Sequence, residues 1–233
     1  MKILTDFIAG STFFPVVVGL LFYFMGDALR RKFKFSLLNP LLISVAATIA
    51  LLVFLEIDYG SYMEGAKYLS YLLTPATVAL AVPLYRRIGE LRRCPVAIIA
   101  GILSGTVMSL ASVTILSIAF GLGDEEFVSL LPKSVTTAIG LGISEENGGI
   151  PALTAAVIMF TGVFGHIAGG AVLKVFRIKS PVAKGVAMGC AAHAIGTSRA
   201  MEMGEVEGAI SSLSLVVTGI VTVVLAPVVI GVV

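Results

Sequence analysis

The chain has 233 residues, of which 58% are hydrophobic and 13% charged, and its mean hydropathy is +1.04. No soluble globular domain needs so much apolar surface, so the composition excludes one and requires an integral membrane protein. The net charge of +2 is small and its basic residues sit in short clusters between apolar runs, which speaks against a nucleic-acid partner. Cys94 and Cys190 are too few and too far apart for a disulfide framework or a metal site, and both read as small buried residues.

Runs long enough to cross about 30 Å of hydrocarbon lie at residues 7–25, 37–55, 67–85, 95–120, 150–173, 183–201 and 208–232, with a shorter, more polar run at 127–144. The first has its basic cluster behind it and no small-residue cleavage site, so it is expected to be retained. Twelve of the sixteen basic residues fall in three connections, Arg30–Lys34, Arg86–Arg93 and Lys174–Lys184. The positive-inside rule makes these cytoplasmic. Acids dominate the connections at 56–67, 124–126, 145–146 and 202–207, which are expected outside. Parity then requires 127–144 to be re-entrant. The expectation is an all-α polytopic protein of about seven transmembrane helices plus one re-entrant segment, with the N-terminus outside and the C-terminus cytoplasmic.

Residues 1–123 and 124–233 resemble each other in outline, as half-repeats of a single membrane domain. Each has a Pro-interrupted first segment (Pro15; Pro132), a second run opening with Pro (Pro40; Pro151), a polar third run and an apolar fourth. Corresponding connections carry opposite charge, as an inverted-topology repeat would produce. Such repeats, with broken helices meeting at mid-membrane, build many secondary transporters.

The residues able to carry chemistry interrupt these runs. Pro75, with Ala76 and Thr77, and Pro132, followed by Lys133, Ser134, Thr136 and Thr137, are each placed to open a half-helix. The free N–H groups and positive dipole end of such a half-helix hold a carboxylate, and the hydroxyls add donors. The bland reading of either proline is a kink whose hydroxyls bond back to the helix. Between Met188 and Gly208, helical spacing puts His193, Gly196, Thr197 and Ala200 on one narrow face and makes Arg199 and Glu202 neighbours. Arg199 or Lys133 could neutralise a small anion, or snorkel to the surface. His193 could carry a proton, or serve as a packing hydrogen-bonder. Gly-x-x-x-Gly pairs at 101/105, 165/169, 185/189 and 204/208 suit close helix approach. No recurring enzyme motif occurs, so an enzyme is not expected.

The runs TPATVALAVPLYRR at 74–87, LPKSVTTAIGLGISEENGGIPALTA at 131–155 and HAIGTSRAMEMGEVEGAISSL at 193–213 closely resemble the LrgB/CidB family of bacterial membrane proteins. Its pattern falls here on Pro75, Thr77, Pro132, Lys133, Ser134, Thr136, Thr137, Gly148, Gly149, His193, Gly196, Thr197, Arg199, Glu202 and Glu207, with departures at Ala138 and Ser198. The resemblance implies a cytoplasmic (inner) membrane protein with one of two functions. One is a holin-like or antiholin-like modulator of murein hydrolase export and lysis, with a small LrgA/CidA-type partner. The other is a carrier of small monocarboxylates such as pyruvate, glycolate or lactate. The carrier is the expectation adopted from the polar centre, as a homo-oligomer with no cofactor or metal beyond a coupling proton or cation, its anion held by Pro75–Thr77, Pro132–Thr137, His193, Gly196, Thr197, Arg199 and Glu202.

Overall fold

The structure is a computed structural model that describes residues 13–33, 40–72 and 95–233, together with residues 11, 75, 82, 85 and 89. The regular structure among the described residues is helical, with no strand. Two compact units, Met1–Ala79 and Leu80–Val233, are each described by themselves. The boundary expected between residues 123 and 124 falls inside the second unit.

The first unit holds α1 (Phe14–Phe33), α2 (Pro40–Phe54) and α3 (Tyr59–Ser70). Gly26 lies against Pro40, so close that a Cβ there would stand 2.9 Å from the proline Cα. Further along the pair, Ser44 Oγ donates to Gly19 O at 3.2 Å, which makes α1 and α2 antiparallel. Asp58 caps α3 by accepting from Ser61 N at 3.1 Å.

The second unit holds α4 (Pro95–Phe120), α5 (Asp124–Leu130), α6 (Thr137–Glu146), α7 (Pro151–Val175), α8 (Pro181–Met203) and α9 (Glu205–Ile230). With 26, 25 and 26 residues, α4, α7 and α9 are long and apolar enough to cross a bilayer. At ~1.5 Å per residue each exceeds the roughly 30 Å of hydrocarbon. The chain is a membrane protein. Proline opens α4, α7 and α8, where its missing N–H removes nothing the helix needs.

The helices α4 and α9 run side by side in the same direction. Ile98 and Ile102 share a core with Ile210. Thr106 Oγ1 then reaches Thr218 Oγ1 at 3.4 Å, and beyond it Leu110 and Val113 share a core with Ala226. At that far end α5 and α6 turn back into the unit. Their 7 and 10 residues are too few to cross. The reversal is a turn in which Lys133 N donates to Leu130 O at 3.1 Å and Val135 N to Pro132 O at 3.2 Å. Both limbs are tied to the start of α7: Ile150 N donates to Ser129 Oγ at 2.7 Å, and Thr154 Oγ1 to Ser144 Oγ at 2.8 Å. Residues 127–144 thus take the hairpin form that parity required. Pro132, however, ends the first limb and does not open the second, which starts at Thr137.

The helix α8 is not a rod. Ala192 (φ −129°, ψ 20°) and His193 (φ 41°, ψ −135°) leave helical geometry, and the chain folds back on itself there. In a straight helix Met188 and Gly196 would be separated by about 12 Å. Here a Cβ on Gly196 would stand 2.6 Å from Met188 O. Met188 and Ala200, from opposite limbs, share one core with Leu173. At the open end of this hairpin Lys184 Nζ lies 3.8 Å from Glu207 Oε1. Met201, near the end of the second limb, packs on Gly208, so both ends of α8 lie beside the start of α9.

Four expectations are corrected by this reversal. Residues 183–201 do not cross, because each limb of about eleven residues covers only half the depth. The acids at 202–207 share an end with the basic connection at 174–184. They sit there because Glu205 and Glu207 occupy the first turn of α9, where the helix dipole favours carboxylates, and Glu207 faces Lys184. With one crossing fewer, α9 runs parallel to α4, whereas an inverted repeat would oppose the fourth runs of the two halves. The C-terminus therefore lies away from the 174–184 connection, not on its side as expected.

Single cysteines at Lys179 and Glu205, in a chain cleared of native cysteines, should react with an impermeant maleimide from one face of the membrane, and a cysteine at Asn147 from the other. Labelling of 179 and 205 from opposite faces would refute the folded-back α8. Gly196→Val should cost about 1–3 kcal/mol through overpacking against backbone, read as a lower melting temperature in detergent. The same change at Gly142, where a Cβ would have nothing within 4 Å, should cost far less.

Candidate functional site

The two hairpins enter the second unit from opposite ends and stop near the middle of α4. The tip of the first brings Ser134 Oγ to 3.0 Å from Ser109 Oγ. Near the tip of the second, Thr218 Oγ1 donates to Cys190 Sγ at 3.2 Å, and Cys190 packs on Gly105. Between them lies a cavity of about 780 Å³, walled by α4, the first limb of α8, and Lys133 and Ser134. It reaches from the exposed Ser180, at the start of α8, as far as Ser112.

Lys133 is the one charged side chain lining this cavity among the described residues. Its Nζ donates to Ser134 Oγ at 3.0 Å and to Ser109 Oγ at 3.2 Å. Among the described residues the contacts to the ammonium are these two hydroxyls, which solvate it but carry no charge to balance it. Ser134 is only 4% exposed, which fixes the tip against α4. Pro132, also buried, sets the turn that presents Lys133.

The other expected residues go elsewhere. Gly196, Thr197 and Ala200 are buried on the second limb, and His193, at the reversal and outside helical geometry, is buried with them. This cluster holds the second tip together and does not line the cavity. Since Ile158 O can only accept, His193 Nε2 carries the proton of their 2.9 Å hydrogen bond. Gly162 leaves room for the ring: a Cβ there would stand 2.7 Å from His193 Cε1. Thr197 Oγ1 donates to His193 O at 2.9 Å and lies 2.9 Å from Ser211 Oγ on α9. The packing role, and not the proton-carrier role, fits this arrangement. Arg199 and Glu202 are neighbours as expected, with Nη1 to Oε2 at 2.6 Å, on the partly exposed side of the second limb. Thr136 is half-buried and Thr137 exposed, and neither lines the cavity. Pro75 is helical and exposed, while Ala76 and Thr77 lie outside the described residues.

A model of the LrgB-like family matches residues 19–232. The chain belongs to the LrgB-like family. Antiholin-like protein LrgB of Bacillus mycoides strain KBAB4 and that of Bacillus cereus strain B4264 are each 40% identical to this LrgB-like chain over 218 residues, covering 93% of it and 95% of the relative. The protein of that name from Bacillus anthracis strain CDC 684 matches equally. No solved structure matches.

Sequence reasoning on this LrgB-like chain missed Ser104, Ser109 and Ser112, which stripe one side of α4 along the cavity. Three hydroxyls at near-helical spacing inside an apolar run were the available signal. It also missed the reversal at Ala192–His193, which has no proline to announce it. His193→Ala, which removes the donor from Ile158 O, should lower stability by about 1–3 kcal/mol. Arg199→Gln should shift the melting temperature less, because its ion pair is partly in solvent. The opposite ranking in detergent unfolding would contradict the assignment of His193 to the tip.

Proposed function

We propose that this protein is an antiholin-like membrane protein that restrains murein hydrolase activity and lysis of the bacterial cell. It works in the cytoplasmic membrane as a homo-oligomer, with a small LrgA/CidA-type membrane partner. The observation that carries this reading is 40% identity over 93% of the chain to proteins bearing the antiholin-like name. With the basic connections cytoplasmic, the α5–α6 hairpin enters from outside and the α8 hairpin from the cytoplasm. Deleting the gene from its own bacterium should speed lysis and raise extracellular murein hydrolase on zymograms, and a plasmid copy should reverse both. Unchanged lysis and unchanged zymograms would sink the reading.

The cavity favours a second reading, a carrier of small monocarboxylates coupled to a proton or cation. Two broken segments meeting at mid-depth, around one ammonium that has no carboxylate beside it among the described lining residues, is the arrangement secondary transporters use. Proteoliposomes should take up labelled pyruvate, glycolate or lactate saturably, and Lys133→Gln should reduce that uptake at least ~10-fold, as for a lost charge-assisted contact. Leakage of an encapsulated dye without saturable uptake would leave a pore and remove the carrier.

A further inference from the structure

The helix α7 is long enough to cross the bilayer, so its last turn lies where hydrocarbon gives way to headgroups. Two hydrogen bonds close its end: Ile178 N donates to Leu173 O at 2.9 Å and Arg177 N to Lys174 O at 3.0 Å. This pattern puts one residue in the left-handed region, which glycine enters freely and a residue with a side chain does not. Here that residue is Arg177, at φ 54°. The cap itself does not require a cation. The same pattern at the end of α2, with Ile57 N on Leu52 O at 3.0 Å, holds Glu56 at φ 53°. The dipole of α7 favours a positive charge here, but Lys174 in the last turn already supplies one. The choice of arginine is therefore explained by what lies outside the helix.

The cap also sorts the neighbouring side chains. It turns Ile178 inward, onto the core of Leu173, Met188 and Ala200. Val175 and Phe176 are left 76% and 73% exposed. They stand among Lys174, Arg177 and Lys179, which are exposed as well. Among the described residues none of these three cations has an ion pair. The acids that share this end are engaged elsewhere: Glu202 with Arg199 at 2.6 Å and Glu207 with Lys184 at 3.8 Å, and Glu205 is not free either. A soluble anion would use the cations and leave Phe176 and Val175 in water. A phospholipid answers both, its phosphate meeting the cations and its chains the apolar pair.

We propose that the α7–α8 connection is a binding site for an anionic phospholipid, with Arg177, Lys174 and Lys179 holding the phosphate and Phe176 and Val175 packing on the acyl chains. The site uses none of the residues that line the cavity, and it stands under either reading of the function. A lipid held there ties the root of the α8 hairpin to the headgroup layer.

The chain has no tryptophan, so Phe176→Trp gives the full-length protein a single indole at the site. In phosphatidylcholine nanodiscs, acyl-brominated phosphatidylglycerol should quench its emission more than acyl-brominated phosphatidylcholine at the same mole fraction. The difference should correspond to a relative affinity of roughly 5-fold or more, the worth of one basic residue at a charged surface. Exchanging Lys174→Gln, Arg177→Gly and Lys179→Gln together should bring the two lipids level. Added glycerol phosphate should displace nothing. Arg177→Gly alone gives a second signature, because it relieves the backbone while removing the charge. Its melting temperature should equal or exceed that of the natural protein in phosphatidylcholine and fall below it once phosphatidylglycerol is present. Equal quenching by the two lipids, an indole that neither lipid reaches, or a preference that survives the triple exchange overturns the proposal. Displacement by glycerol phosphate does so too, since the site then serves a free phosphate. An Arg177→Gly variant that loses stability equally in both lipids reduces the arginine to a helix cap and also overturns it.

Discussion

The hydrogen bond from His193 to the Ile158 carbonyl is the interaction on which the second unit's architecture depends. It stands where the chain abandons helical geometry at membrane depth, with a non-glycine residue at φ 41°. Such backbone costs on the order of 1–3 kcal/mol, and unsatisfied backbone groups in hydrocarbon cost more. Enclosure is therefore obligatory. Ala192 and His193 are 1% and 4% exposed. Thr197 spans from the His193 carbonyl to Ser211, so α7 and α9 grip the reversal from two sides. The small residues around it follow from the same need: Gly162 admits the imidazole and Gly196 admits the Met188 carbonyl.

The two hairpins divide the labour. The reversal in α8 is buried and concerned with holding itself together, while the tip between α5 and α6 brings a cation to the cavity wall.

Much of this was legible from residue order. The apolar lengths of α4, α7 and α9, the prolines that open α4, α7 and α8, and the Arg199–Glu202 pair all follow from residue order and spacing. The hairpin at 127–144 followed from charge parity. The reversal in α8 was illegible because alanine and histidine carry no break signal, and its cause is tertiary: a carbonyl on α7 and a hydroxyl on α9. Missing it also misread the acids at 202–207, whose helix-dipole role at the start of α9 looks, in sequence, like a statement about sidedness. Lys133 was recognisable as a cation in an apolar segment, but its serine partner on α4 was hidden in a run read only for length.

The order in which the partners of α8 occur along the polypeptide has a consequence for biogenesis. Ile158 precedes the reversal, but Ser211 and the rest of α9 follow it. When Ala192 and His193 leave the ribosome, half of their enclosure has not yet been made. The nascent segment must wait at the lipid surface, or in the care of the insertion machinery, until the last helix arrives to close over it.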